Sequence, residues 1–147
     1  MSLHVFLTRR YKFSAAHRLH SKDLSLKENQ KIYGKCNNPE GHGHNYLLEV
    51  TVSGPVEKET GMCVDVEELD RIIQDSVIEK FDHKHLNFEI PDFNGSVPTG
   101  ENIVRVIWKI LSDNFTQGRY PSKRIQVPKL CRLKLQETRD NFFEYRG

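Results

Sequence analysis

Cysteine is scarce. Three residues, Cys36, Cys63 and Cys131, occur in 147, and no two form a CxxC pair. An odd, unpaired set argues against a disulfide framework and favours a reducing compartment, so a cytoplasmic location is expected. Long apolar runs are missing as well: nothing approaches the roughly 20 residues that span a bilayer. The opening stretch Met1-Ser2-Leu3-His4-Val5-Phe6 lacks the basic flank and long apolar segment of a signal peptide, and no membrane partner is expected. Nor does one sign of charge dominate, since 22 Lys and Arg against 20 Asp and Glu leave a net +2. That balance offers no field for nucleic acid, and only the short run Arg119, Lys123, Arg124 speaks for such a partner. Repeats and low-complexity tracts are absent. A 37% hydrophobic, 29% charged composition is what remains, ordinary for a globular chain. Its length suits a single domain, 1–147, with a core of its own.

Periodicity supplies the elements. Val5 to His17 reads as a strand, with Val5, Leu7, Tyr11, Phe13 and Ala15 alternating against Thr8, Arg10, Lys12 and Ser14. Residues 18–41 are polar and read as a long loop, a kind usually kept for function. A second strand is expected from His44 to Ser53, stopped by Gly54-Pro55. Asp65, with Glu68 three residues on, starts a helix whose apolar side is Val66, Leu69, Ile73, Val77 and Phe81. Thr99 caps a second helix through about Phe115. Two final strands follow, the first carrying Cys131, Leu133, Leu135 and Glu137 on one face, the second Phe142 to Tyr145. The order β-β-α-α-β-β implies an α+β fold, a four-stranded antiparallel sheet with both helices on one face. Open edges and a bare face invite oligomerisation.

Gly41-His42-Gly43-His44-Asn45-Tyr46 is the most informative stretch. Residues two apart on an extended chain project to the same side, so His42 and His44 can bind one metal ion. His17 ends the preceding strand, and an antiparallel pairing across the loop would bring it alongside. Three imidazoles with one position open is the arrangement of a catalytic zinc. Cys36, six residues before His42, can be a metal-activated thiolate, a fourth ligand, or an inert thiol. Cys63 and Cys131 read as core.

Larger motifs share this order. Phe13-Ser14-Ala15-Ala16-His17-Arg18-Leu19, Tyr33-Gly34-Lys35-Cys36-Asn37-Asn38-Pro39 and His42-Gly43-His44-Asn45-Tyr46 are joined by Asp82-His83-Lys84-His85-Leu86, Thr99-Gly100-Glu101-Asn102 and Gln136-Glu137-Thr138. Together they resemble the 6-pyruvoyltetrahydropterin synthase family over nearly the whole chain. The resemblance implies zinc on His17, His42 and His44, and a catalytic triad of Cys36, Asp82 and His83 assembled across a subunit boundary. It implies Glu137 as the anchor for the pterin ring, with Thr99 and Glu101 in the same pocket. It further implies the tunnelling fold, in which sheets of neighbouring subunits close into a barrel, and a homohexamer built as a dimer of trimers.

The implied reaction converts 7,8-dihydroneopterin triphosphate to 6-pyruvoyltetrahydropterin with loss of triphosphate, in tetrahydrobiopterin biosynthesis. Lys35 and Arg18 are candidates to receive the triphosphate, though basic residues beside a loop are commonly just solvated. A relative, 6-carboxytetrahydropterin synthase of deazapurine biosynthesis, shares the pocket but typically has a shorter gap between the cysteine and the HxH pair. A non-catalytic zinc-binding interaction module is the reading of another class; it would recruit Cys36 and close the fourth position. Bland readings stand beside the others. Asp82-His83 can be a solvated helix end, Glu101 a helix-dipole acid, and Glu137 a carboxylate seeking Arg139.

Overall fold

The structure, a computed structural model, describes residues 4–117 and 125–147. Arg119, Lys123 and Arg124 lie outside the described residues. Strand β1 (His4–His17) pairs antiparallel with β2 (His42–Pro55) along its full length, Phe13 facing Tyr46, Ala15 facing His44 and His17 facing His42. Strand β4 (Lys129–Thr138) adds to β2, and β5 (Asn141–Tyr145) to β4, both antiparallel. The expected four-stranded antiparallel sheet needs one correction. Beside β1 lies β3 (Lys84–His85), a two-residue parallel strand that makes a mixed five-stranded sheet ordered β3-β1-β2-β4-β5. Two residues are too few to leave an alternating pattern.

One face of the sheet is the core side. Phe13, Ala15, Tyr46, Leu48, Val50, Val52, Leu133 and Leu135 are buried there with Leu69, Ile73 and Val77, and with Ile103, Ile107 and Leu111. Leu69 and Ile73 come from α2 (Val66–Ile73), and Val77 from the π-helical stretch (Gln74–Ile78) through which α2 continues into α3 (Glu79–Phe81). After α4 (Leu86–Glu89), α5 (Gly100–Thr116) supplies the rest. Asp65 and Thr99 are the caps, accepting from the backbone N–H of Glu68 and Asn102. The opposite face is charged. Glu49 is partly buried among Arg10, Arg132 and Lys134 at 3.7–3.8 Å.

Two further expectations change. Residues 18–41 are not one loop: they hold α1 (Leu26–Tyr33) and a 3-10 turn (Gly34–Asn37). No apolar stripe announces α1, because the residue it buries is Asn29, while Leu26 and Ile32 are exposed. The Asn29 amide donates to the carbonyls of Ser21, Leu24 and Ser25 and its oxygen accepts from Ser21 N–H, so hydrogen bonds do what a core would do elsewhere. Cys131, in turn, is not core. A bulge pairs Thr51 with Arg132 but Val52 with Leu130, which turns Leu130 inward. The Cys131 thiol then donates to Ser53 Oγ at 3.1 Å. Cys63 is buried.

Candidate metal and active site

His17 and His42 close the same end of the β1–β2 ladder, and His44 follows two residues on. All three rings therefore project from the core-side face. One ligand atom from each lies within 4.8 Å of the others, a group that can hold a metal ion. His17 is wholly buried. Its Nδ1 donates to the Pro98 carbonyl at 2.8 Å, so its Nε2 carries the lone pair. Burial first, then the neighbouring imidazoles, push His17 down to about 4, outweighing the Pro98 bond; burial also lowers His44. Neutral imidazole is the ligating form. Both His17 Nε2 and His42 Nδ1 are buried without a hydrogen-bond partner among the described residues. Glu137 Oε1 stands 3.5 Å from His17 Nε2 and 3.8 Å from His44 Nε2. With His17 neutral and its proton on Nδ1, its contact with Glu137 is lone pair against lone pair. A cation among these atoms relieves the mismatch, so the residues fit a metal ion.

Gly41 is required for this closure. Its φ is +77°, and a Cβ there would lie 2.9 Å from His85 Nε2 and 3.0 Å from the His17 carbonyl oxygen. Gly43, by contrast, leaves ordinary room, with Ala15 O at 3.5 Å.

Cys36 is half-buried in the 3-10 turn, its carbonyl accepting from Leu19 N–H. It is not one of the three clustered ligands. Burial, then Glu137, then Cys36 raise the Tyr46 phenol, which stays protonated. Glu137 belongs to a bulge of its own. Gln136 pairs with Phe142 but Thr138 with Asn141, leaving Glu137 unpaired toward β5. Bulges re-aim side chains near sites, and this one presents the carboxylate to the histidines rather than to Arg139.

Asp82 and His83 touch each other, Asp82 Oδ2 to His83 Nδ1 at 2.9 Å. Asp82 Oδ1 accepts from Ser14 N–H, the chief reason its carboxyl is lowered. His83 adopts φ +59°, unusual for a side chain with a Cβ, and its N–H donates to Ser14 O. Its imidazole is 83% exposed. Among the described residues no hydrogen bond or ion pair joins this pair to Cys36 of the same chain. Thr99 spends its hydroxyl on the α5 cap, next to the Pro98 carbonyl that holds His17. Glu101 is exposed on the first turn of α5. The Arg18 guanidinium donates to Asn37 O, and Lys35 is exposed. Sequence reasoning missed the Pro98 carbonyl and the Tyr46 hydroxyl. Only the alternation of Tyr46 with His42 and His44 could have flagged the latter.

Fold and cluster define an α+β protein with a three-histidine metal-competent site. Residues 6–147 match the family model described as 6-pyruvoyl tetrahydropterin synthase. The chain is 45% identical over 147 residues to the 6-pyruvoyl tetrahydrobiopterin synthase of Dictyostelium discoideum, covering 100% of this chain and 99% of that one. It is 41% identical to the human enzyme of that name, covering 96% and 90%. The solved Caenorhabditis elegans 6-pyruvoyl tetrahydropterin synthase superposes with a TM-score of 0.86 at 36% identity, covering 99% and 97%. The chain belongs to the 6-pyruvoyl tetrahydropterin synthase family.

Proposed function

We propose that the chain uses zinc on His17, His42 and His44 to convert 7,8-dihydroneopterin triphosphate into 6-pyruvoyltetrahydropterin and triphosphate. As a member of its family it is a lyase of tetrahydrobiopterin biosynthesis. The single observation that carries the site reading is the convergence of His17 Nε2 and His42 Nδ1, both buried and unpartnered, in the three-histidine cluster. Zinc held there supplies Lewis acidity that acidifies C–H groups beside a bound side-chain oxygen. Three histidines without Cys36 leave a position open, which favours catalysis over a closed structural site.

The chain's own residues divide the work. Glu137 accepts paired hydrogen bonds from the guanidine-like edge of the pterin. Cys36 moves side-chain protons. His83 exchanges a proton through Nε2 while Asp82 holds Nδ1 and balances its charge. Thr99 and Glu101 flank the pocket from the start of α5. Because the Asp82–His83 pair is exposed and unconnected to Cys36 within one chain, it serves Cys36 of a neighbouring subunit. The assembly is a hexamer of two trimers whose sheets close into barrels, each subunit one domain over 1–147. Its three free cysteines suit the cytoplasm, and no helix among the described residues is long and apolar enough to cross a membrane.

Incubating the zinc-loaded protein with 7,8-dihydroneopterin triphosphate and identifying the product tests the reading. A pyruvoyl product and free triphosphate are expected. A carboxy product would assign the deazapurine reaction, and no product would leave a binding module.

A further inference from the structure

Tyr46 is left over by these roles. Its side chain is 1% exposed, and its hydroxyl is buried without a hydrogen-bond partner among the described residues. The ring is held in place: Phe13 stacks on it at 5.0 Å with 17° between the planes, and His44 meets it at 5.7 Å. A rigid buried donor with no acceptor is a cost that folded proteins rarely carry unless a ligand or a moving group supplies the acceptor.

The neighbouring strand offers that acceptor. β2 and β4 pair Leu48 with Leu135 and Leu47 with Gln136, so Tyr46 and Glu137 come next on the core side. The β4–β5 bulge frees Glu137 from the outer ladder. Its carboxylate meets the Nε2 atoms of His17 and His44, and the His17 nitrogen has no proton to give. An acceptor short of donors therefore stands beside a donor without an acceptor, and of the two the phenol is the fixed one.

We propose that Tyr46 is a positioning residue, its hydroxyl donating to the Glu137 carboxylate to orient it toward the ring edge of a reduced pterin. The inference rests on Glu137 being the pterin anchor. The bond requires the Glu137 side chain to rotate away from the histidines, where its Oε1 stands at 3.5 Å from His17 Nε2. A carboxylate has about four lone-pair sites, so one bond to Tyr46 leaves enough for the two N–H groups of the pterin.

The test is a double-variant cycle on zinc-loaded protein: wild type, Tyr46→Phe, Glu137→Ala and both together. Each is titrated calorimetrically with 7,8-dihydroneopterin, with zinc content and Tm measured alongside. Tyr46→Phe keeps the ring packing, so zinc content should be unchanged and Tm equal or higher. Its Kd should rise about tenfold, while in the Glu137→Ala background, which has no acceptor left, the same change should shift Kd by less than about twofold. An unchanged Kd in Tyr46→Phe, with binding weakened in Glu137→Ala, overturns the inference alone. Equal losses in both backgrounds overturn it too, because Tyr46 would then act independently of Glu137. Wild-type affinity in Glu137→Ala overturns the anchor reading and this inference with it.

Discussion

The histidine cluster and the Asp82–His83 pair lie at the same end of β1, yet their polar atoms are treated in opposite ways. In the cluster, His17 is sealed from solvent, and His17 Nε2 and His42 Nδ1 have no hydrogen-bond partner among the described residues. The Asp82–His83 pair is open to solvent and internally satisfied, each residue bonded to the other and to the backbone of Ser14. A buried site short of partners is prepared for something that enters it. An exposed pair with every inner bond made, and one imidazole nitrogen turned outward, is prepared to reach something else. The first arrangement suits a metal and a substrate; the second suits a neighbouring subunit.

Removing a cluster ligand should break this contrast most severely. His42→Ala or His44→Ala should lose most bound zinc, from about one per chain to a small fraction, and activity with it. Cys36→Ala should keep its zinc. Elemental analysis of the purified variants checks both. Metal loss in Cys36→Ala together with full retention in His17→Ala would reverse the ligand assignment.

The proposed sharing of the triad between subunits gives the next largest effect. Cys36→Ala and His83→Ala should each lose about a hundred- to ten-thousandfold in turnover as separate oligomers. Mixed in equal amounts, they should rebuild an intact pair in about a quarter of sites, because each site draws on two independently chosen chains. Activity that stays absent after verified mixing would place the triad within one chain.

A smaller effect sharpens the picture of how the cluster closes. Gly41→Ala puts a methyl group against His85 Nε2 and the His17 carbonyl in a left-handed backbone, and should cost about 1–3 kcal/mol of stability. Gly43→Ala has ordinary room and should cost less in the same urea titration. Equal losses would show that the Gly41 contact yields easily.

The smallest expected effect concerns Asp82. Its folded carboxyl is lowered, chiefly by the Ser14 N–H. Its contribution is therefore complete above the unfolded value and fades as pH falls through the folded one. Wild type should lose more stability than Asp82→Asn between pH 5 and pH 2.5 (about one unit above and below the usual Asp range). Urea midpoints compared across that interval should converge at the acid end. Parallel curves would mean that the Ser14 bond does not stabilise the ionised form.

Several features could be read along the chain because their physics is local. The two-residue period puts His42 and His44 on one side, and the strand alternation carries Phe13, Ala15 and His17 to the matching side. Asp65 and Thr99 mark helix starts because a side-chain oxygen three residues ahead of an N–H needs no tertiary help. Other features depend on partners far away. The Pro98 carbonyl that selects the His17 tautomer is 81 residues from it. The bulges that expel Cys131 and re-aim Glu137 exist only relative to the strands beside them. Helix α1 is invisible to hydrophobic patterning because an asparagine, bonded to three carbonyls, fills its inner side. Sequence alone thus determined which residues can share a face, since strand and helix periods are properties of the backbone. Tertiary structure decided which ring nitrogen carries its lone pair inward, which carboxylate meets it, and that Asp82 and His83 touch, because hydrogen-bond partners are chosen by proximity in space.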